Sequence, residues 1–161
     1  MNTKKSLLLL VLFPTLFAVS LQGMVDPEAL FAAAHEGNVE TINALIVKGA
    51  DVNAQDETDG RTALMGAARK GYVDAIKALI AKGADVNITN NIGRTVLMIA
   101  AGNGHVGAIE ALIAKGADVK AKDNRGWTAL KHAAQYNEEA EEEEAEAKIP
   151  QEVLERLKPK S

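Results

Sequence analysis

Two apolar patterns alternate through most of the chain. Leu64, Ala67 and Ala68 fall at i, i+3 and i+4, one face of a short helix. Val73, Ile76, Leu79 and Ile80 then form the apolar face of a second helix. Thr62 stands where a hydroxyl caps the first helix, and Gly71 ends it where a positive φ costs little. Gly83 closes the second, and stretches rich in Asp and Asn follow, as turns demand. The predicted unit is helix, turn, helix, loop, and it recurs. Lys48-Gly49-Ala50-Asp51-Val52-Asn53 returns as Lys82-Gly83-Ala84-Asp85-Val86-Asn87 and as Lys115-Gly116-Ala117-Asp118-Val119-Lys120, at separations of 34 and 33 residues. Gly60-Arg61-Thr62-Ala63-Leu64 recurs at Gly93 and again at Gly126, each 33 residues on. One extra residue between Asn53 and Gly60 accounts for the single 34.

A lone unit of this length cannot bury its apolar face, but stacked neighbours can. The pairs Ala67-Ala68 and Ala100-Ala101 are small enough to let adjacent helices approach. Units are expected at about 26–56, 57–89, 90–122 and 123–137. The first lacks the Gly-x-Thr start and offers Pro27-Glu28-Ala29-Leu30 instead. The last has a finger and a first helix, then departs; Asn137 sits where glycine would, and Asn tolerates left-handed φ second best. End units are expected to be atypical because one face meets water.

These markers resemble the ankyrin repeat over about residues 26–137. The family pattern runs Gly-x-Thr-Pro-Leu-His, then Ala-Ala-x-x-Gly-His, then Gly-Ala-Asp-Val-Asn. Here the Pro is replaced by Ala63, Val96 and Ala129, and the His of the first segment by Met65, Met98 and Lys131. The hydrogen-bond ladder that this His usually gives the family has no histidine to build it at these three positions. The later loop His survives only as His105, with Asn38 and Tyr72 in its place elsewhere. The resemblance implies an all-α solenoid of stacked helix-turn-helix units with β-turn fingers. It also implies a non-catalytic module that binds another protein on its concave face.

Residues 1–20 break the pattern. Lys4 and Lys5 precede an almost wholly apolar run from Leu7 to Val19, and Ala18-Val19-Ser20 offers small residues for cleavage. This is the three-part form of a secretory signal peptide, with cleavage expected after Ser20 and Gly23 as a weaker site. The run is too short for a hydrocarbon core that needs roughly 20 residues; a retained anchor is the alternative. The expected product is a monomer in the periplasm or outside the cell, free of the membrane after cleavage. The repeat domain is then 21–137, and 138–161 is an acidic helix or tail. Seven Glu and two Ala fill residues 138–146, read as a solvated helix replacing the last unit's second one, or as a frayed segment. After Pro150, Ile149, Val153, Leu154 and Leu157 form a small apolar stripe that either caps the stack or stays loose.

Composition narrows the function. The 161 residues hold no cysteine, which excludes disulfides, thiolate metal sites and a cysteine nucleophile. Lys and Arg number 18 against 22 Asp and Glu, and 16 against 22 once the leader is removed, which disfavours nucleic acid as a partner. Nine acids and four bases lie in the tail, so the acidity is local. His35, His105 and His132 form no metal pair, and the mature body lacks the serine that a triad needs. No catalytic residue, metal or cofactor is expected. Gly102-Asn103-Gly104-His105-Val106-Gly107 spells a dinucleotide fingerprint, but it neither follows a strand nor opens a βαβ unit, so Gly104 reads as an interhelix turn. Asn87-Ile88-Thr89 is a glycosylation sequon in a turn context. Met65 and Met98 read as core filler.

What remains is surface. Positions that the repeat leaves unconstrained on first helices and fingers are the candidates for recognition: Arg61, Arg69, Lys70, Ile92 and Arg94, followed by Asn103, Arg125, Trp127, Gln135 and Tyr136. Trp127 reads equally as a contact residue or as a lid over the last unit. Three function classes stay open. The first is a binding module on the concave face. The second is an immunity-type periplasmic inhibitor whose acidic tail covers a basic cleft. The third, an enzyme, is disfavoured by the missing nucleophiles and metal clusters.

Overall fold

The computed structural model describes residues 27–140 and 148–159. The leader and most of the Glu-rich run, 141–147, lie outside the described residues, and so do the expectations placed on them. Eight helices and no strand are present among the described residues. In chain order they are α1 Pro27–His35, α2 Val39–Val47, α3 Ala63–Lys70, α4 Val73–Ala81, α5 Val96–Gly102, α6 Val106–Ala114, α7 Ala129–Glu139 and α8 Gln151–Arg156.

The caps set the helix starts. The hydroxyls of Thr62, Thr95 and Thr128 accept from the amides of Met65, Met98 and Lys131, three residues on. Gly71 takes φ 74° and stops α3. Its neighbour in the next unit enforces the choice: a Cβ at Gly71 would lie 2.6 Å from Nδ1 of His105. The second helices begin at Asn38, Tyr72 and His105; only Asn38 caps with its side chain, accepting from the Thr41 amide at 2.9 Å.

Helices α1, α3, α5 and α7 pack side by side in one row, and α2, α4, α6 and α8 in a second row behind it. The core lies between the rows. Leu64, Ile76, Leu79, Leu97, Ile109 and Leu112 are fully buried there, and each such side chain contributes about 1.5–3 kcal/mol. The alanine pairs do what their size suggests: Ala67, Ala68, Ala100 and Ala101 are wholly buried where first helices meet.

The C-terminal end differs from expectation in two respects. Asn137 does not adopt a left-handed turn; no residue but glycine has a positive φ among the described residues. Helix α7 runs through it to Glu139, because no glycine is present to stop the helix. Nor does the start of the acidic run supply the fourth second helix. Glu138 and Glu139 finish α7, and α8, from beyond Pro150, occupies that place beside α6 and α7. The stripe docks through Ile149, Val153 and Leu157, each nearly or fully buried.

The extra residue of the first finger is absorbed at its tip. In the shorter fingers the turn closes from Gly93 to Asn90 and from Gly126 to Asp123, over three residues. In the longer one Gly60 bonds back to Asp56, over four. The register is then restored, since the Asn91 amide donates to Asp59 and the Asn124 amide to Ile92, one finger to the next.

Candidate functional site

The row of first helices and the finger tips enclose a groove of about 460 Å³. It crosses α1, α3, α5 and α7. Its floor is apolar: Met65 and Met98 line it while almost wholly buried, with Ile99 beside them and Phe31 at one end. Gly66, in mid-helix, makes room for the Phe31 ring, whose Cε2 lies 3.2 Å from where a Cβ would stand. The family's first-segment His is thus exchanged for a thioether floor, and no histidine ladder runs beneath this groove.

Seven of the ten sequence-derived candidates line the groove. Arg61 and Arg94 come from the fingers, Arg69 and Asn103 from the ends of α3 and α5, Gln135 and Tyr136 from α7. Ile92, at a finger tip, is 51% exposed. The other three lie outside it. Lys70 is exposed at the end of α3, and Arg125 is exposed on the last finger. Trp127 is half-buried between the Arg125 guanidinium, 4.1 Å from its ring, and the Lys131 ammonium at 4.5 Å. Its ring is engaged by its own unit.

Several lining residues escaped the sequence reading: Phe31, Gly66, Asn90, Ile99, His132 and Glu139. A signal for three of them exists. Gly66, Ile99 and His132 sit 33 residues apart, and each lies three before Arg69, Gly102 or Gln135, on the same helix face.

The electrostatics are set by two buried or half-buried carboxylates. Burial works against the charged form of Asp56, but bonds from the Asp59 amide, the Thr58 hydroxyl and the Arg61 backbone outweigh it, and its pKa falls below 3.8. Arg61 pairs with Asp56 at 3.5 Å and with Asp59, and its guanidinium lies over the Phe31 ring. Asp123 is buried, and burial again favours the neutral acid. The amides of Trp127 and Arg125, each at 2.9 Å, and the His132 ring at 3.0 Å overrule that effect and lower its pKa.

The pKa of His132 is lowered as well, which for a histidine favours the neutral ring. Burial holds its pKa below 6.5, the Asp123 bond only partly offsets this, and the Arg94 and Arg125 charges add to the depression. The ring is therefore neutral at pH 7, with Nε2–H donating to the carboxylate. The pair ties the last finger to α7. No Ser or Cys lines the groove, and no metal-binding cluster of His, Cys, Asp and Glu exists among the described residues.

Other suspect motifs resolve into repeat architecture. His105 donates from Nε2 to the Arg69 carbonyl at 2.9 Å, a bond to the backbone of the preceding unit. Gly104 sits at the interhelix turn with φ 73°, beneath the Tyr136 ring, so the fingerprint-like glycines hold no phosphate loop. Asn87 accepts from the Asp118 amide of the next unit at 2.9 Å, a turn role like that of Asn53 with Asp85.

Among known families, the one described as ankyrin repeats (3 copies) matches residues 9–90 and 83–142. No curated protein matches the chain.

Proposed function

The chain belongs to the ankyrin-repeat family, whose members are generally protein-interaction modules, and from that premise we propose that it binds a protein partner through this groove, without catalysis. One observation carries the reading. The groove is lined by side chains that the repeat does not consume, above all Arg69 and the water-facing Ile92. An apolar side chain held out on a finger tip gains nothing from folding. A guest that covers it gains its burial. The stack is already ordered, so little conformational freedom is lost on binding.

The leader pattern supports export, and with it a site of action in the periplasm or outside the cell, as a monomer. The mass of the exported protein tests this: it should begin at Leu21.

The binding reading is tested on cell-envelope extract passed over immobilised protein. A partner should be retained by the wild type and by Lys77→Glu, on the second row of helices, and lost with Ile92→Asp or Arg69→Glu. A partner held equally by both groove variants overturns the reading.

A narrower version is an immunity-type inhibitor of a toxic enzyme. It is favoured by the start of the acidic run at the groove itself, where Glu139 lines the wall. Deleting the tail would confound the test, because α8 is part of the packed stack. Replacing Glu141, Glu142, Glu143, Glu144 and Glu146 by Gln removes the charge alone. Unchanged, salt-independent affinity for the partner would leave the narrower version without support.

A further inference from the structure

The arginines of the groove are not equivalent. Arg61 is spent on Asp56 and Asp59. Arg94 is not spent. Its nearest carboxylate oxygen, on Asp123, stands 3.8 Å from Nε, and that carboxylate is already engaged by His132 and by two backbone amides. The Nε atoms of Arg94 and Arg61 are both shielded from water without a hydrogen-bond partner among the described residues; Arg61 differs in donating a terminal N–H to Asp59. Arg69, at the end of α3, is exposed and lines the same groove, with its carbonyl taken by His105 and its guanidinium in no ion pair among the described residues. A guanidinium presents five donors in a planar fork that matches a carboxylate. Of the acids that line the groove, Asp59 is held by Arg61, and Glu139 accepts from the Gln135 amide at 2.6 Å while keeping its charge.

Beside these two forks lie the Met65 and Met98 floor and the exposed Ile92 lip. A guest that answers both must carry a carboxylate and an apolar group close together. Resting on the groove as recognition surface, we propose that it takes a peptide segment in which an Asp or Glu stands beside an apolar side chain. The carboxylate is held by Arg94 and Arg69, and the apolar neighbour by Ile92 and the thioether floor. Nucleic acid is disfavoured as the guest, since the chain carries 18 basic against 22 acidic residues.

The test is selection of a random-heptapeptide phage library on the immobilised full chain. Enriched peptides should carry Asp or Glu within one or two positions of Leu, Ile, Met or Phe. The best of them, synthesised, should bind roughly tenfold more tightly than its Gln or Asn analogue, and less tightly in high salt. Arg94→Gln and Arg69→Gln should each weaken it, and Lys77→Gln should not; Arg69 is a surface position, so that variant tests the idea even if Arg94→Gln disturbs the finger. An enriched set without acids, no enrichment, equal binding of the amide analogue, or indifference to both arginine variants overturns the proposal. Selected peptides that lack acids but are lost with Ile92→Asp sink the carboxylate alone and leave the groove standing. Acidic peptides that bind regardless of Ile92→Asp and both arginine variants sink the groove as well.

Discussion

The Asn53 carboxamide accepts from the Asp85 amide at 2.8 Å and donates to the Gly83 carbonyl; Asn87 repeats the first of these bonds with Asp118. Single side chains thus fasten each turn to the next, which is the physical content of the recurring Asp-Val-Asn. Residues that repeat were legible for that reason: the capping role of Thr62 and the glycine at 71 follow from position within a unit. His132 carried a signal as a groove residue through its row, but none as Asp123's partner. Its row holds Gly66 and Ile99 elsewhere, so no sister unit advertises the bond. That pair has a consequence for pH. With its folded pKa held below 6.5 by burial, His132 stays neutral in the native state while the unfolded chain takes up a proton. The stabilisation is complete above pH 6.5 and declines as pH falls from there toward the depressed value. Asp123, also depressed, adds a further loss below 3.8. Urea unfolding between pH 7.5 and 5 should show stability falling in the wild type, and a flatter profile in His132→Gln.

At the scale of elements, α8 is the instructive case. It reaches its place after a segment that breaks the 33-residue period, and it is only six residues long. Its entry is fixed by Asn137, which accepts from the Ile149 amide at 2.8 Å and donates to the Ile149 carbonyl at 3.0 Å. Arg156 adds an exposed ion pair with Glu110, worth little by itself. Asn137→Ala removes both clamp bonds, at about 0.5–1.5 kcal/mol each. Hydrogen exchange should then accelerate at Val153 to Leu157 while the amides of α3 and α4 keep their protection. Equal loss everywhere would show that α8 opens only with the whole stack. The apolar stripe of α8 was visible in the sequence, because its spacing is that of a helix face. Its place as the fourth second helix was not. Periodicity locates units by their spacing, and here the spacing is interrupted by the Glu-rich run, while the Asn137 clamp joins positions 12 apart that no pattern links.

For the molecule as a whole, the arrangement in rows means that each unit is supported only by its neighbours. Leu79 is fully buried between α4 and the helices around it, and Leu79→Ala should cost about 2–5 kcal/mol. Against a total of roughly 5–15 kcal/mol for a domain, this is a large fraction. Circular dichroism should show one transition at a lower temperature, because so few units cannot unfold separately; two transitions would mean that the halves are independent. The concave groove was legible as a face, since unconstrained positions on first helices and fingers fall together once the units are stacked. Its thioether floor was not, because methionines at helical spacing look the same whether they fill a core or back a cleft. The five-residue turn at 56–60 has a last consequence. It passes the same backbone groups to the following finger as its four-residue counterparts do, although it is longer. Tip length is therefore uncoupled from the scaffold's cohesion: residues added or exchanged there alter what the palm touches and leave the knuckles that hold it together unchanged.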